Sequence, residues 1–426
     1  MQIHQQNLTQ TFLQAKVVGI LVSLAVLKLI SNMFPILPKD DTPDHYIKFK
    51  AENDFINMGA EIRGLFDEAT YTSSNLTRLR EEIPDVIDAL PDRYLENYKS
   101  FCWFNKTNKA QLLCLPRVYL GGFIKCGTSE IHRKLSVHYE INPGEKKEHK
   151  WWSRYRIPHQ WRERNQSFQK EPFSHYLQRL QPEKMKNNTV LFDGSATLLW
   201  HQLYWEERFP LLNERPYSNA DLIRSITPDA KILVIVRNPT ERLWSDYLFF
   251  HSGKIGQAFP SELCAKNLSP EGFNEAVRNE IARFRDCVKG KGLRRCCFDT
   301  KHLDRYDTAV VTLTLGIYVC YIREWKEKFR DQMRIIRLED FKINTTNELM
   351  ELYKFFEVSP KSRRSIDEYI ESHETKNVRR PQTIALGAML ASTRQLLNSF
   401  YRPFNQELAK LMNDDRFRYL NDVNMH

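Results

Sequence analysis

The chain is 426 residues long, 42% hydrophobic and 27% charged, without internal repeats or low-complexity segments. It can therefore bury a substantial core as one large domain or two smaller ones, which excludes a solenoid or a disordered polymer. Its 63 lysines and arginines outnumber 53 aspartates and glutamates for a net charge of +10, favouring a polyanionic partner such as nucleic acid, anionic lipid or an acidic glycan.

The first element is apolar. Val17 to Leu27 (VVGILVSLAVL) carries no charge, and hydrophobic character resumes from Leu29 to Leu37 after Lys28. Together they reach about the 20 residues needed to cross a bilayer, with Lys28 able to snorkel if it lies near an interface. No small-x-small cleavage site follows, so residues 17–37 are expected to be a retained signal anchor behind a short cytoplasmic tail, 1–16, in preference to a cleaved signal or a buried helix. Lys16 and the amino terminus are the positive charges before the span, which orient it weakly. Orientation follows better from the sequons beyond it, at Asn75, Asn105, Asn165, Asn187, Asn267 and Asn344. With eight cysteines they suit an oxidising secretory lumen.

Residues 38–110, with Pro38, Asp40, Asp41 and Pro43 near their start, read as a stem and an N-terminal subsegment that packs on a lumenal domain, 111–426. The cysteines form no C-x-x-C metal pattern. Cys102 and Cys114 are spaced for a local bridge, Cys287 pairs with Cys296 or Cys297, and Cys126 and Cys320 are expected buried and reduced.

From residue 115 onward strand-like runs, Val118 to Ile124, Thr189 to Phe192, Lys231 to Val236 and Arg334 to Leu338, alternate with helical ones. The helices are expected over Thr240 to Phe250, Gly272 to Val288, Leu315 to Phe329, Asn347 to Phe356 and Leu386 to Met412. This alternation predicts an α/β domain with a central, largely parallel sheet, whose ligands lie beyond the carboxyl ends of the strands.

The first strand runs into Lys125-Cys126-Gly127-Thr128-Ser129. A helix opening at Thr128 would aim free N–H groups above the strand end, Gly127 would allow close approach, and Lys125 and the two hydroxyls would complete an anion cradle. Alone, the same residues also suit an ordinary turn with a solvated lysine. A nucleotide-kinase P-loop needs its lysine after the last glycine, and here it comes before.

A second anion site follows Lys231 to Val236. Arg237 at the strand tip offers a planar fork to a phosphate, Pro239 suits a first helical turn, and Ser245 lies about two turns on. Singly, Arg237 reads equally as a surface ion pair and Ser245 as a helix spacer. Between the two sites, Glu145 to Arg154 (EKKEHKWWSR) supplies Glu148 and His149 as candidate bases beside Trp151 and Trp152, or a solvated charge run packed on two tryptophans. Asp193 to Thr197 opens into the same crevice, although Asp193 also suits a helix cap. Thr375 to Arg380 is a basic loop in which Arg379 and Arg380 close over a nucleotide, bind a sulfated substrate, or remain solvated.

These segments resemble the sulfotransferases that use 3′-phosphoadenosine 5′-phosphosulfate (PAPS). Lys-Cys-Gly-Thr-Ser at a strand end is similar to their 5′-phosphosulfate loop, and R-x-P-x-x-R-x-x-S-x-Y from Arg237 to Tyr247 to their 3′-phosphate motif. The resemblance covers roughly residues 90–420. It is closest to the carbohydrate branch acting on N-acetylgalactosamine 4-sulfate, through LRRCCF (293–298), LTLGIYVCYIREW (313–325), IIRLEDF (335–341) and FYRPFNQELAKLM (400–412).

The resemblance implies a Golgi type II enzyme that sulfates the 6-hydroxyl of GalNAc 4-sulfate in chondroitin or dermatan sulfate, with a sulfated glycosaminoglycan as partner and neither nucleic acid nor metal required. It implies that Lys125, Cys126, Gly127, Thr128 and Ser129 hold the 5′-phosphosulfate, that Arg237 and Ser245 hold the 3′-phosphate with Arg379 and Arg380 nearby, and that Glu148 is the base, with His149 the runner-up. The Glu-His-Lys-Trp-Trp order departs from the family, which places histidine where Lys150 stands. The alternatives are another glycan O-sulfotransferase specificity, on a different glycosaminoglycan or hydroxyl, and, because of this departure, a relative that binds glycans without catalysis.

Overall fold

The computed structural model describes residues 81–156, 159–161, 166–168, 170–202, 205, 209, 211–212, 215–251, 268–299, 311–373 and 381–420. The expected tail and anchor, the sequons at Asn75, Asn165 and Asn267, Cys264, and the basic pair Arg379 and Arg380 lie outside them. Among the described residues no helix is long and apolar enough to cross a membrane.

The centre is a five-stranded sheet in the order β4-β7-β3-β8-β9, formed by β3 (Val118–Gly122), β4 (Ile141–Asn142), β7 (Val190–Asp193), β8 (Lys231–Val236) and β9 (Met333–Arg337). All its pairings are parallel, Val118 standing between Phe192 and Lys231. Helices cover such strands, so they read as unbroken apolar runs. Ile232 to Val236 are fully buried, each worth about 1.5–3 kcal/mol relative to exposure. Two antiparallel ribbons lie apart from this sheet, β1 (Phe101–Phe104) with β2 (Leu112–Leu115) and β5 (His159–Trp161) with β6 (Gln166–Phe168).

Strand β3 ends at Gly122, two residues before the expected Ile124. Its register with β8 shifts between Leu120 and Gly122. Phe123 still donates its N–H to the Ile235 carbonyl at 2.9 Å, and its ring packs against Tyr318 and Tyr321, with centroids 4.8 and 5.6 Å away. Helix α1 (Thr128–Ser136) follows β3, and α2 (Pro239–His251) follows β8 with proline in its first turn. The Asn238 side-chain oxygen accepts the Thr240 N–H there at 3.0 Å.

Further helices after α2 include α3 (Pro270–Lys291), α4 (Leu293–Cys297), α5 (Tyr318–Phe329), α6 (Leu338–Ile343), α7 (Thr345–Phe356) and α8 (Ala391–Met412). Two start later than their periodicity predicts. The expected helix from Leu315 begins as a separate 3₁₀ turn, Leu313–Gly316, and Gly316 lies against the Tyr401 ring, where a Cβ would stand 2.7 Å from it. The one expected from Leu386 begins at Ala391, after Gly387 turns the chain at φ +74.

Residues from 81–110 contact this body. Tyr94 donates to the Ile226 carbonyl at 2.7 Å, and Lys99 pairs with Glu140 at 3.1 Å. A Cys102–Cys114 disulfide closes the β1–β2 hairpin, and Cys287 bonds Cys296 in preference to Cys297. Cys126, Cys297 and Cys320 are buried thiols. Of the described sequon asparagines, Asn187 and Asn344 are exposed, and Asn105 is half-buried.

Candidate active site

The carboxyl ends of β3, β7 and β8 bring together loops that are far apart in sequence. In the first, Lys125 and Gly127 take left-handed backbone, with φ +62 and +86. A Cβ on Gly127 would lie 2.6 Å from Leu338 Cδ1, so glycine is required by both conformation and space. No side chain caps α1, which leaves its N-terminal end, with the Thr128 and Ser129 hydroxyls, suited to a phosphate-like anion. Cys126 contributes main chain alone: its thiol is buried 3.4 Å from the Tyr318 hydroxyl, and burial pushes it up to about 11.

The second expected site adjoins the first. Arg237 follows the tip of β8, and its Nη1 lies 3.5 Å from the Lys125 carbonyl. The Tyr318 hydroxyl donates to the Arg237 carbonyl at 2.8 Å. Lys125 Nζ stands 3.4 Å from the centroid of the Phe249 ring, and half-buried Ser245 lies one helical turn before Phe249 on α2. Arg242, within the same motif, is fully buried on Thr312 and Asp246 and belongs to the scaffold. Lys342 on α6 was not foreseen; partial desolvation, and then Arg237, push its ammonium below the usual lysine value.

The base segment turns over the first loop. Glu148 is half-buried, with Lys147 Nζ 2.9 Å from Oε1 and Lys150 Nζ 3.0 Å from Oε2. Burial raises its carboxyl, but the two lysines outweigh that and hold it below the ordinary range. His149 points the other way. It is fully buried edge-on to Tyr176, with Nδ1 lacking a hydrogen-bond partner and Nε2 3.5 Å from the Pro143 carbonyl.

Asp193 faces inward as well. It accepts from Ser195 Oγ at 2.5 Å and from the Tyr176 hydroxyl at 2.8 Å, while Ser195 Oγ accepts the Lys150 N–H at 2.9 Å. Thr197 bonds Ser153 at 2.8 Å, and Trp151 and Trp152 are buried at right angles to each other. The loop after β7 thus anchors the Glu148 segment, and Asp193 accepts the Ser195 N–H at 3.0 Å, the Asx-type cap weighed from the sequence.

Sequence reasoning passed over two side chains here. Lys147 Nζ reaches Thr128 Oγ1 at 3.1 Å and Ser129 Oγ at 3.2 Å in addition to Glu148. His132, one turn into α1, stacks on Phe192, and its Nε2 is buried without a partner. Desolvation, then Lys147, depress it to about 4, so it is neutral at physiological pH. The segment containing Lys147 was legible as functional, but nothing in the sequence states which of its lysines meets the first loop. Among the described residues no cluster of side chains is arranged to hold a metal ion.

Residues 115–399 match the family described as Sulfotransferase domain. Human carbohydrate sulfotransferase 15 is 26% identical over 447 aligned positions, covering 89% of this chain and 76% of its own. The rat protein of that name is 30% identical over 450 positions, with coverages of 90% and 77%. Among solved structures, a sulfotransferase from Alicyclobacillus acidocaldarius is similar at 20% identity and a TM-score of 0.45, covering 71% of this chain and 99% of its own.

Proposed function

The chain belongs to the sulfotransferase family, and from that premise we propose that it carries a sulfuryl group from PAPS to a sugar hydroxyl of a glycosaminoglycan, the 6-hydroxyl of GalNAc 4-sulfate in chondroitin or dermatan sulfate. One observation carries this reading: a single lysine spans from the Thr128 and Ser129 hydroxyls to the Glu148 carboxylate. An anion cradle and a candidate base therefore face one another across a space bounded by that side chain.

In this reading the main chain from Lys125 to Ser129, the two hydroxyls and Lys125 bind the 5′-phosphosulfate, and Arg237 and Ser245 bind the 3′-phosphate. Arg379 and Arg380 add positive charge at the nucleotide or at the sulfated acceptor. The sugar oxygen attacks sulfur while the bond from sulfur to the 5′-phosphate oxygen breaks, Glu148 takes the hydroxyl proton, and 3′-phosphoadenosine 5′-phosphate (PAP) departs. Lys125 offsets the charge left on the departing phosphate. Glu148 is preferred over His149 because the imidazole is buried away from the cradle. The +10 charge suits a polysulfated acceptor. Exposed sequons at Asn187 and Asn344 and two disulfides support a lumenal, Golgi type II placement with residues 17–37 as anchor.

The test is transfer from labelled PAPS to chondroitin, dermatan and heparan acceptors by the wild type, Lys125→Ala and Glu148→Gln. Transfer to 4-sulfated chondroitin that both substitutions abolish is expected. Transfer surviving both would overturn the site, and donor binding without transfer to any acceptor would identify a glycan-binding relative.

A further inference from the structure

We propose that Lys147 is a second catalytic lysine, whose ammonium leaves Glu148 to bind the transferring sulfuryl group and so frees that carboxylate to accept the sugar proton. This rests on the donor and base assignments just made.

An ammonium has three N–H donors and no acceptor, and Lys147 directs its contacts at Thr128 Oγ1, Ser129 Oγ and Glu148 Oε1, 3.1, 3.2 and 2.9 Å away. Lys147 thus touches the loop hydroxyls and Glu148 at once, while the Lys125 ammonium stands over the Phe249 ring. A sulfuryl group held by the loop and facing Glu148 must therefore lie beside Lys147. Its oxygens, which carry the group's negative charge, are better acceptors for an ammonium than two neutral hydroxyls. The Lys147 side chain is 21% exposed and so has room to pivot.

A carboxylate held ionised by two cations is a weak proton acceptor. The titratable groups facing Glu148 are Lys147 and Lys150 from its own loop and His132 from α1, which stays neutral, while His149 beside it turns inward. Moving Lys147 to the sulfuryl oxygens leaves Lys150 as the one paired cation, and the carboxyl rises toward its ordinary value when the donor is in place. Donor binding thereby switches on the base, and the balance of the transfer is unaltered: the sugar proton still goes to Glu148.

The experiment compares wild type, Lys147→Met and Lys147→Arg in single-turnover transfer to 4-sulfated chondroitin across pH, with PAP affinity by calorimetry as the check on folding and nucleotide binding. For Lys147→Met we expect PAP affinity within threefold of wild type and a transfer rate reduced by roughly 100-fold or more, the usual effect of losing one group aimed at developing charge; Lys147→Arg should recover part of it. In wild type the acidic limb of the bound-state rate should lie at higher pH than that of kcat/KM for PAPS, and in Lys147→Met the two limbs should coincide. A lysine that merely pins Glu148 would let the substitution move both limbs together, which overturns the proposal, as would a Lys147→Met rate within threefold of wild type. A wild type that transfers to no acceptor fails the functional reading; a transferring wild type beside an equally active Lys147→Met fails this inference alone.

A separate observation concerns Cys297 on α4 and Cys320 on α5, buried thiols whose sulfurs lie 3.0 Å apart. A disulfide needs about 2.05 Å, a short approach from this contact, and we infer that these two form a third disulfide in the lumenal domain. Two thiols lose two protons and two electrons to a disulfide-bearing oxidant of the lumen, which is reduced to its dithiol. The tryptic peptide 296–301 carries both Cys296 and Cys297. After blocking free thiols and digesting without reductant, it should emerge joined to the Cys287 and Cys320 peptides together. Cys320 recovered with the thiol-blocking label would overturn the pairing.

Discussion

The hydroxyl of Tyr318 donates to the carbonyl of Arg237 at 2.8 Å and lies 3.4 Å from Cys126 Sγ. One buried phenol at the start of α5 therefore ties the loop after β3 to the loop after β8, the two parts assigned to opposite ends of the donor. Tyr318→Phe removes a bond worth about 1 kcal/mol. The expected result is a KM for PAPS raised about fivefold with kcat nearly unchanged, read from initial rates at saturating acceptor.

Gly127→Ala puts a Cβ 2.6 Å from Leu338 Cδ1 on a backbone held at φ +86. Strain of this kind costs about 1–3 kcal/mol, so the loop should deform. Calorimetry should show PAP affinity weakened by about 5- to 150-fold, and Leu338→Ala in the same chain should return only the part owed to the clash.

Asp193 is buried and holds Ser195 and Tyr176, and through Ser195 the Lys150 main chain. Asp193→Ala leaves those donors without an acceptor in the interior, which should cost about 1–3 kcal/mol. Urea unfolding should show that loss. Transfer should fall with PAP affinity retained, because the disturbed element carries Glu148 and not the nucleotide loops.

Glu140 is buried and accepts from Ser359 and Lys99; burial raises its carboxyl, but these partners outweigh it and bring it from 4.5 down to about 2. Its folded value lies below its unfolded one, so its contribution is complete above the unfolded value and is lost as pH falls toward 2. Wild type should be more stable than Glu140→Gln at pH 7. The difference in urea midpoint should shrink steadily between pH 4.5 and pH 2, and a constant difference would contradict the assignment.

The parallel sheet was legible in the sequence because covered strands have no solvent face: Lys231 to Val236 could be nothing but an apolar run, and β8 occupies those residues. The donor loops were legible for a related reason. A lysine, a glycine and two hydroxyls at a strand end, and an arginine before Asn-Pro at another, are chemistry concentrated over a few residues, and parallel strand order carries them to one edge. Helix beginnings were less legible: Gly316, just before the start of α5, meets Tyr401, 85 positions away in the chain.

By itself the sequence determined the α/β class and the choice of the two glycine- and arginine-bearing loops, with Glu148 and His149, as the groups to weigh. Tertiary structure alone decided that His149 faces the core, that Asp193 holds Ser195 and Tyr176, that Cys296 and not Cys297 bonds Cys287, and that Lys147 joins the Thr128 and Ser129 hydroxyls to Glu148. The physical reason is range. Periodicity and turn chemistry act over a few residues, whereas an ammonium finds its acceptors at about 3 Å in space, and nothing between Thr128 and Lys147 in the sequence prescribes that distance.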